Sequence, residues 1–305
     1  MRHVFIINPN AGNNDVGPLI KKQLNSLEEK LDYEIYRTKC KGDANHFVHD
    51  YLLTHSPEET YRFYSCGGDG TLYDVVNGAY GFPNAQIACF ASGSGNDFVK
   101  NFPPVENFQD IMQSIHGKPK RIDLLKIGDR YCVNITNFGF DGEVTLAQLR
   151  YKRKKGISGN MAYRKACVHC LFFKMNQPLK LSIDGKVRFD GKGLLVAFAN
   201  GFCYGGGYHC APEAKVDDGI MDVCLVKKVS RLRAAGFMKI YRHGEHIHHP
   251  KTKQFIHYEK CHIATVESDR PVAYAIDGEV FEASKLTIEV IPFAITFVVP
   301  ENSAA

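Results

Sequence analysis

Residues 4–90 alternate between strand-like and helix-like segments, and this alternation limits the fold more than any other feature of the chain. Short apolar runs fit buried strands, and apolar residues spaced three or four apart fit the helices between them. Such alternation is typical of a parallel sheet covered by helices. We expect strands at 4–7, 33–37, 61–66 and 86–90, and helices through 20–31, 44–53 and 72–79.

From about residue 121 the pattern changes to closely spaced apolar runs separated by turn residues, which favours antiparallel strands. We expect strands at 180–183, 187–189, 194–199 and 221–226, and two helices at 142–151 and 161–173. The dipeptides Asp184-Gly185, Gly128-Asp129 and Asp277-Gly278 are typical of hairpin loops. The sequence therefore predicts an α/β domain at 1–120, a β-rich domain at 121–292, and a C-terminal segment at 293–305 that packs back on the first domain, with a disordered tail at 301–305.

The loop Gly67-Gly68-Asp69-Gly70-Thr71 stands where an apolar strand ends and a helix begins. Glycines permit tight turns and close backbone approach, while a helix N-terminus offers free N–H groups and a favourable dipole to phosphate. A carboxylate beside phosphate is repelled unless a divalent cation lies between them, so we assign Asp69 to Mg2+. The alternative is that Asp69 only caps the helix and the glycines form an ordinary turn.

Two further loops follow neighbouring strands, Asn8-Pro9-Asn10-Ala11-Gly12 and Ser92-Gly93-Ser94-Gly95-Asn96-Asp97-Phe98. Ligands of open α/β sheets bind beyond the carboxyl ends of the strands, so three such loops would converge on one nucleotide and add a second carboxylate, Asp97. Any one loop by itself could be a structural turn. The candidate nucleotide-binding residues are Asn8, Pro9, Asn10, Gly12, Gly67, Gly68, Gly70, Thr71, Gly93, Ser94, Gly95 and Asn96.

These motifs resemble the catalytic domain of the diacylglycerol kinases, most closely the single-chain bacterial lipid kinases. The matching residues are Gly67-Gly68-Asp69-Gly70-Thr71-Leu72, Asp74-Val75-Val76-Asn77-Gly78, Gly93-Ser94-Gly95-Asn96-Asp97-Phe98, Asp217-Asp218-Gly219 and Asp277-Gly278-Glu279. The resemblance implies a nucleotide-binding α/β domain, a β-sandwich-like second domain and an active site in the interdomain cleft. It also implies ATP as phosphate donor, Mg2+, and conversion of diacylglycerol to phosphatidic acid.

The same resemblance implies roles for individual side chains. Asp69, with Asp97 and Asp123 in one electrostatic network, would hold the catalytic magnesium, and Glu279 would be the base that accepts the proton of the lipid hydroxyl. A carboxylate suits that task because phosphoryl transfer needs alignment and charge neutralisation more than covalent help. Without the resemblance, Glu279 is simply an exposed residue after a hairpin turn. The resemblance also implies a second, structural magnesium site at Lys215, Asp218 and Ile220, with Lys215 and Ile220 ligating through backbone carbonyls.

The formal charge of +5 is too small to indicate a nucleic-acid partner, but it favours an anionic one such as an acidic membrane surface. We find no apolar run of transmembrane length and no secretory signal, so we expect a cytoplasmic protein that meets its lipid by peripheral membrane contact. The run Tyr151-Lys152-Arg153-Lys154-Lys155 is either a solvated helix end or a membrane-binding patch. The apolar helix at 161–173 is expected in the core. Monomer and homodimer both stay open.

Four competing functions remain, and one of them is a membrane-recruited scaffold whose kinase activity is incidental. An NAD kinase shares the first glycine loop but would need a different second motif. A kinase for a sphingoid base, ceramide or phosphatidylglycerol would resemble this chain in the same loops. A non-catalytic lipid- or nucleotide-sensing protein would be expected to have lost one catalytic acid, whereas Asp69, Asp97 and Glu279 are all present.

Overall fold

The computed structural model describes residues 1–12, 14–28, 30–152 and 159–304 of the 305-residue chain. Arg153, Lys154 and Lys155, most of the basic run, lie outside the described residues. The chain divides into two compact units. The first comprises Met1–Leu124, Val216–Asp218 and Ile291–Ala305, and the second comprises Leu125–Lys215 and Gly219–Val290.

The first unit is built on a parallel sheet of β1 (Arg2–Ile7), β2 (Tyr33–Arg37), β3 (Tyr61–Gly67) and β4 (Ala85–Ala91). The strands lie in the order β2-β1-β3-β4, and Thr296 and Phe297 add a further parallel strand beside β4. Every residue of β3 is buried, as expected of a central strand with both faces covered. The predicted parallel sheet is confirmed.

The helices of the first unit are α1 (Gly17–Asn25), α2 (Asp43–Thr54), α3 (Asp69–Ala79) and α4 (Ile111–Ile115). The first ends before residue 31, because the Ser26 N–H closes the last turn on the carbonyl groups of Gln23 and Leu24. Leu27 and Leu31 still pack against the core from outside the helix, which explains their helical spacing. Helix α3 begins at Asp69, three residues before the predicted start, since extended Gly68 already serves as its N-cap.

The C-terminal tail is held by hydrogen bonds within the first unit, contrary to the expected disorder. The N–H of Glu301 donates to the carbonyl of Gln113 (3.1 Å), and that of Ala304 donates to the carbonyl of Pro103 (2.7 Å). The Asn107 amide also donates to the Ser303 hydroxyl (3.1 Å). The tail therefore folds because carbonyl groups of α4 and of Pro103 accept its backbone N–H groups, a contact that its polar composition did not predict.

Antiparallel strands dominate the second unit: β5 (Lys118–Ile127), β6 (Arg130–Cys132), β7 (Ile135–Gly139), β8 (Gln177–Ile183), β9 (Lys186–Ala199), β10 (Met221–Lys227), β11 (Ile256–Cys261), β12 (Ile263–Ile276) and β13 (Glu279–Val299). β5 and β13 also contribute residues to the first unit. The strand order is β11-β10-β9-β7-β12-β13, and β8 pairs with β9 and β12. The two strands predicted at 187–189 and 194–199 form one strand, β9, because the chain stays paired with β8 through Gly191.

The three predicted hairpin loops are confirmed. Asp184-Gly185 joins β8 to β9, Gly128-Asp129 joins β5 to β6, and Asp277-Gly278 joins β12 to β13. Asp277 and Gly278 have φ values of 46° and 89°, the left-handed pair that matches the twist of hairpin strands. An α/β unit and a β-rich unit together confirm the predicted fold class.

Two helices of the second unit, α5 (Phe140–Lys152) and α6 (Gly159–Phe173), confirm the predicted pair. The expected burial of α6 is wrong for its large side chains. The helix buries small residues, Ala162, Ala166 and Cys170, whose size permits close packing near Val144 of α5. A third helix, α7 (Arg231–Arg242), was not predicted, although the Ser230 hydroxyl caps it. No helix within the described ranges is both long and apolar enough to span a bilayer.

Candidate active site

Three loops of the first unit follow the carboxyl ends of β1, β3 and β4, which are neighbours in the sheet. Parallel strands end at the same edge of a sheet, so loops that follow them lie side by side. The residues predicted to bind nucleotide stand in these loops or in the ends of the elements that flank them: Asn8, Pro9, Asn10 and Gly12 after β1, Gly67 at the end of β3, Gly68 between β3 and α3, Gly70 and Thr71 in the first turn of α3, and Gly93, Ser94, Gly95 and Asn96 after β4. Their contact with a nucleotide stays a prediction.

Hydrogen bonds join the first two loops. The Asn8 N–H donates to the carbonyl of Cys66 (3.0 Å), and the Asn8 side-chain amide donates to Oγ1 of Thr71 (3.1 Å). The Thr71 side chain is buried beside Gly67, where an added Cβ would lie 2.3 Å from Oγ1. Gly67 thus leaves the room that Thr71 occupies, and Asn8 fixes the hydroxyl from the neighbouring loop.

The second and third loops touch through their backbones. Ser92 and Gly93 both donate their N–H groups to the carbonyl of Gly67, at 3.0 and 3.2 Å. A Cβ added to Gly93 would lie 2.4 Å from the Cα of Gly68, and one added to Gly12 would lie 2.1 Å from the carbonyl oxygen of Ser92. No side chain fits at those distances, so these glycines are required by the packing of the loops.

Asp69 and Asp97, two of the predicted magnesium ligands, lie in adjacent loops. Oδ1 of Asp69 accepts hydrogen bonds from the N–H groups of Asp97 (2.8 Å) and Phe98 (3.4 Å). The Asp69 carboxylate therefore orders the third loop. A Cβ added to Gly95 would lie 2.8 Å from Oδ2 of Asp69 and 3.4 Å from Oδ2 of Asp97. One oxygen of each carboxylate thus faces the same small space.

This pair of oxygens fits a magnesium ion shared with phosphate. Mg2+ at nucleotide sites takes one or two carboxylates and completes its coordination with phosphate oxygens and water. Among the described residues, no three His, Cys, Asp or Glu side chains are grouped to hold a metal by themselves. A basic side chain already pairs with Asp97, since Nζ of Lys100 lies 2.5 Å from Oδ1 of this carboxylate. Asp69 and Asp97 are the residues that would hold the ion, and this assignment stays a prediction.

Asp123, the third predicted acid, is fully buried in β5. Its Oδ1 accepts a hydrogen bond from the N–H of Phe293 (2.7 Å), and its own N–H donates to the carbonyl of Val216 (2.7 Å). Asp123 thereby ties two distant segments of the first unit to β5, a structural role that its sequence neighbours did not indicate. Its place in the magnesium network stays a prediction.

The predicted second magnesium site falls in the segment 215–220. Lys215 and Asp218 are exposed and Ile220 is half-buried. Lys215 and Ile220 belong to the second unit, and Asp218 belongs to the first. The neighbouring residue Asp217 pairs with Lys120 at 2.7 Å. The magnesium ligation of this segment stays a prediction.

Glu279, the predicted base, is the half-buried first residue of β13, and the turn before it is held by a buried carboxylate. Asp277 accepts hydrogen bonds from three consecutive backbone N–H groups, residues 133–135, at 2.8 to 3.1 Å, and from Sγ of Cys132 (3.2 Å). Burial raises the pKa of the Asp277 carboxyl, and these donors oppose the shift. Sequence alone suggested an ordinary hairpin turn here, because nothing in an Asp-Gly dipeptide reports what the Asp side chain contacts.

Asp141 is a second carboxylate of this unit that sequence reasoning missed. It stands in the first turn of α5 and accepts a hydrogen bond from the Tyr204 hydroxyl. Burial raises the pKa of Asp141 to about 6, and the hydrogen bond from Tyr204 opposes the shift. An acid in the first turn of a helix normally serves the helix dipole at the surface, so the pattern carried no signal of burial.

We expect the Asp141 carboxyl to lower stability as pH rises from about 4 to about 6, because the unfolded chain loses this proton first. Below that pH range the folded and the unfolded chain both hold the proton, and above it the full loss of stability is present. A two-unit shift corresponds to about 3 kcal/mol. The Asp141→Asn variant lacks the titration, so its free energy of unfolding relative to the natural chain should grow by that amount across the window. Urea unfolding at pH 4 and pH 7 measures it, and a difference independent of pH contradicts the assignment.

Comparison with known proteins gives matches along most of the chain. Residues 2–127 match the diacylglycerol kinase catalytic domain, and residues 134–299 match the YegS C-terminal NAD kinase beta sandwich-like domain. Among similar structures, a putative diacylglycerol kinase from Bacillus anthracis superimposes with a TM-score of 0.74 at 22% identity, covering 99% of this chain and 98% of that one. An NAD kinase from Archaeoglobus fulgidus in complex with ATP gives a TM-score of 0.50 at 14% identity, covering 99% and 94%. These structures show a shared fold.

Two curated relatives extend the comparison to sequence. A diacylglycerol kinase of Staphylococcus saprophyticus is 28% identical over 282 residues, which cover 90% of this chain and 88% of that protein. A probable lipid kinase YegS-like of Shewanella frigidimarina is 30% identical over 243 residues, which cover 77% and 75%. With both domains matched in order, the chain belongs to the family of the diacylglycerol kinases and YegS-like lipid kinases.

Proposed function

We propose that this chain is an ATP- and Mg2+-dependent lipid kinase that transfers the γ-phosphate of ATP to a lipid hydroxyl, with diacylglycerol as acceptor and phosphatidic acid as product. The observation that carries the proposal is the meeting of the loops in the first unit. The backbones of Gly68 and Gly93 touch, and one oxygen each of Asp69 and Asp97 faces the space beside Gly95. A surface formed by loop backbone and two carboxylates suits the binding of a nucleoside triphosphate together with its metal ion.

In this proposal the first unit binds and aligns the nucleotide. Helix α3 starts within the second loop, so the positive end of its dipole attracts phosphate. Magnesium, when bound, neutralises charge on the transferred phosphoryl group. Asp69 and Asp97 hold that ion, and the hydrogen bonds from Asp97 and Phe98 to Asp69 keep the third loop in register with the second.

The second unit supplies the base in this proposal. Glu279 accepts the proton of the lipid hydroxyl as the phosphoryl group arrives, a step that a carboxylate can perform late in the transfer. Asp277 acts through Glu279 as a positioning residue, because its buried carboxylate fixes the turn from which β13 starts. The proposed setting is the cytoplasmic face of a membrane, with the lipid substrate met by peripheral contact.

The choice of diacylglycerol follows the curated relatives named for it, while the YegS-like relative is named only as a lipid kinase. A sphingoid base, ceramide or phosphatidylglycerol would enter through the same chemistry, since each offers a primary hydroxyl near the polar end of a lipid. A non-catalytic sensing protein is disfavoured because Asp69, Asp97 and Glu279 are all retained.

An acceptor panel tests the proposal. The purified chain is incubated with γ-labelled ATP and Mg2+, and with diacylglycerol, phosphatidylglycerol, ceramide, a sphingoid base or NAD. We expect label in phosphatidic acid and none in NADP. Chelation of Mg2+ with EDTA should stop the transfer, and added Mg2+ should restore it, since the carboxylates and phosphates repel one another without a cation. Label in NADP alone, or in phosphatidic acid at an undiminished rate under EDTA, contradicts the proposal.

A further inference from the structure

The solvent face of α6 carries large apolar side chains. Val168 is 57% exposed, Phe172 is 55% exposed, and Phe173, the last residue of the helix, is 74% exposed. The buried residues of the helix are small, and Val168, Phe172 and Phe173 are not among the members of the core cluster that Ala166 and Cys170 form with Val144. Contiguous exposed apolar groups of this kind mark an interaction surface.

Helix α7 extends the same surface. Arg231 at its start donates from Nε to the carbonyl of Leu171 (2.9 Å) and from Nη2 to the carbonyl of Phe172 (2.8 Å). Its guanidinium also lies 5.0 Å from the centre of the Phe172 ring. The next residue, Leu232, is 88% exposed. The end of α6 and the start of α7 therefore form one patch, here called the α6–α7 surface, whose apolar members are Val168, Phe172, Phe173 and Leu232.

In the sequence, the two segments that contain this surface carry charged residues of one sign. The segments 144–183 and 223–244, which contain α6 and α7, hold 15 of the 38 Lys and Arg residues of the chain and none of its 33 Asp and Glu residues. The rest of the chain is therefore net negative. Arg164 and Lys165 on α6, with Arg231 and Arg233 on α7, are exposed basic residues of this region. Apolar groups surrounded by basic side chains match an anionic lipid surface. The apolar side chains enter the headgroup region, and the basic side chains pair with phosphate.

We propose that the α6–α7 surface docks the enzyme on an anionic lipid bilayer. This inference rests on the proposed function, because a lipid kinase has to reach an acceptor embedded in a membrane. A second copy of the chain is a poorer occupant, since two such surfaces would bring like charges together. The acid-free composition of both segments also disfavours a basic protein partner.

Vesicle co-sedimentation tests the apolar part of the surface. Vesicles of phosphatidylcholine with phosphatidylglycerol are compared with vesicles of phosphatidylcholine alone. The variant Phe172→Ser/Phe173→Ser/Leu232→Ser should lose about tenfold or more of its binding to the mixed vesicles. The matched control Leu19→Ser/Leu53→Ser/Met112→Ser removes exposed apolar groups from the first unit and should bind like the natural chain. Equal binding by both triple variants overturns the proposal.

A charge-reversal variant, Arg164→Glu/Lys165→Glu, tests the basic part without touching the apolar side chains. We expect several-fold weaker binding to the mixed vesicles, and a smaller dependence of that binding on salt than for the natural chain. Binding that is equal on both vesicle types, or unchanged by the reversal, contradicts docking on anionic lipid. A triple variant that changes the molecular mass in light scattering, while binding vesicles normally, would assign the surface to a second copy instead.

Activity assays separate failure of docking from failure of the proposed function. With diacylglycerol in detergent micelles, the triple variant should keep the transfer rate of the natural chain, because the first-unit loops and Glu279 are intact. With diacylglycerol in anionic vesicles, its rate should fall together with its binding. Absence of transfer by the natural chain in micelles refutes the kinase, whereas equal rates of both proteins on vesicles refute only the docking surface.

Discussion

The variant Gly93→Ala should lose about a hundredfold in phosphate transfer, because its Cβ would lie 2.4 Å from the Cα of Gly68 and 2.8 Å from Oδ1 of Asn96. The φ of Gly93 lies outside the left-handed region, so the backbone conformation itself accepts alanine. The loss therefore comes from the contacts of the added Cβ, because the second and third loops have to separate to make room for it. The groups that align the phosphates then move with the loops. ATP binding by calorimetry and transfer in detergent micelles measure the loss.

The matched control is Gly236→Ala on α7, where nothing lies within 4 Å of the added atom. This variant should bind ATP like the natural chain and should gain a little stability, since alanine favours a helix over glycine by about 1 kcal/mol. Overpacking at Gly93 should cost about 1–3 kcal/mol, which thermal unfolding detects. A Gly93→Ala variant that binds ATP with natural affinity would show that the loop contact does not shape the nucleotide site.

The second large effect is expected at Asp277→Asn. The amide group keeps one oxygen but directs an NH2 toward backbone donors that now reach a carboxylate. Leaving one or more buried N–H groups unsatisfied should lower the free energy of unfolding by about 3 kcal/mol. Because Glu279 begins the strand two residues later, we also expect kcat to fall about a hundredfold at nearly unchanged KM for ATP.

Asp184→Asn is the matched control, because Asp184-Gly185 forms the same kind of turn, with φ values of 46° and 76°, at an exposed site. Asp184→Asn should lower the free energy of unfolding by much less than Asp277→Asn does, and it should leave kcat unchanged. If Asp277 positions Glu279, kcat of Asp277→Asn should fall even where the variant is fully folded. The pH dependence of kcat should also shift, because the surroundings of Glu279 have changed. Loss of stability with natural kcat would reduce Asp277 to a structural residue.

The alternation of strand-like and helix-like segments was enough to predict the parallel sheet of the first unit. Strand β3 is buried along its whole length, so the mostly apolar segment 61–66 was enough to locate it. Glycines of the adjoining loops stand where contacts leave no room for a side chain. The boundaries were less accurate where a cap decides them. Helix α1 ends at Asn25 because Ser26 closes it, although Leu27 and Leu31 keep the spacing of a longer helix.

The second unit was harder to predict, because its decisive contacts join residues far apart in sequence. Asp277 bonds to residues 133–135, and Asp141 to Tyr204, and neither dipeptide context nor spacing reports such partners. Helix α6 was misassigned to the core because composition does not say which face is covered. Its burial through Ala162 and Ala166 became visible only with α5 in place.

The most direct test is transfer of labelled γ-phosphate from ATP and Mg2+ into extracted membrane lipids, by the natural chain and by Asp69→Asn. Our account predicts a labelled phosphatidic acid with the natural chain, and no labelled lipid with a folded Asp69→Asn variant. A natural chain that binds ATP but labels no lipid, or a variant that labels lipid at the natural rate, would contradict it.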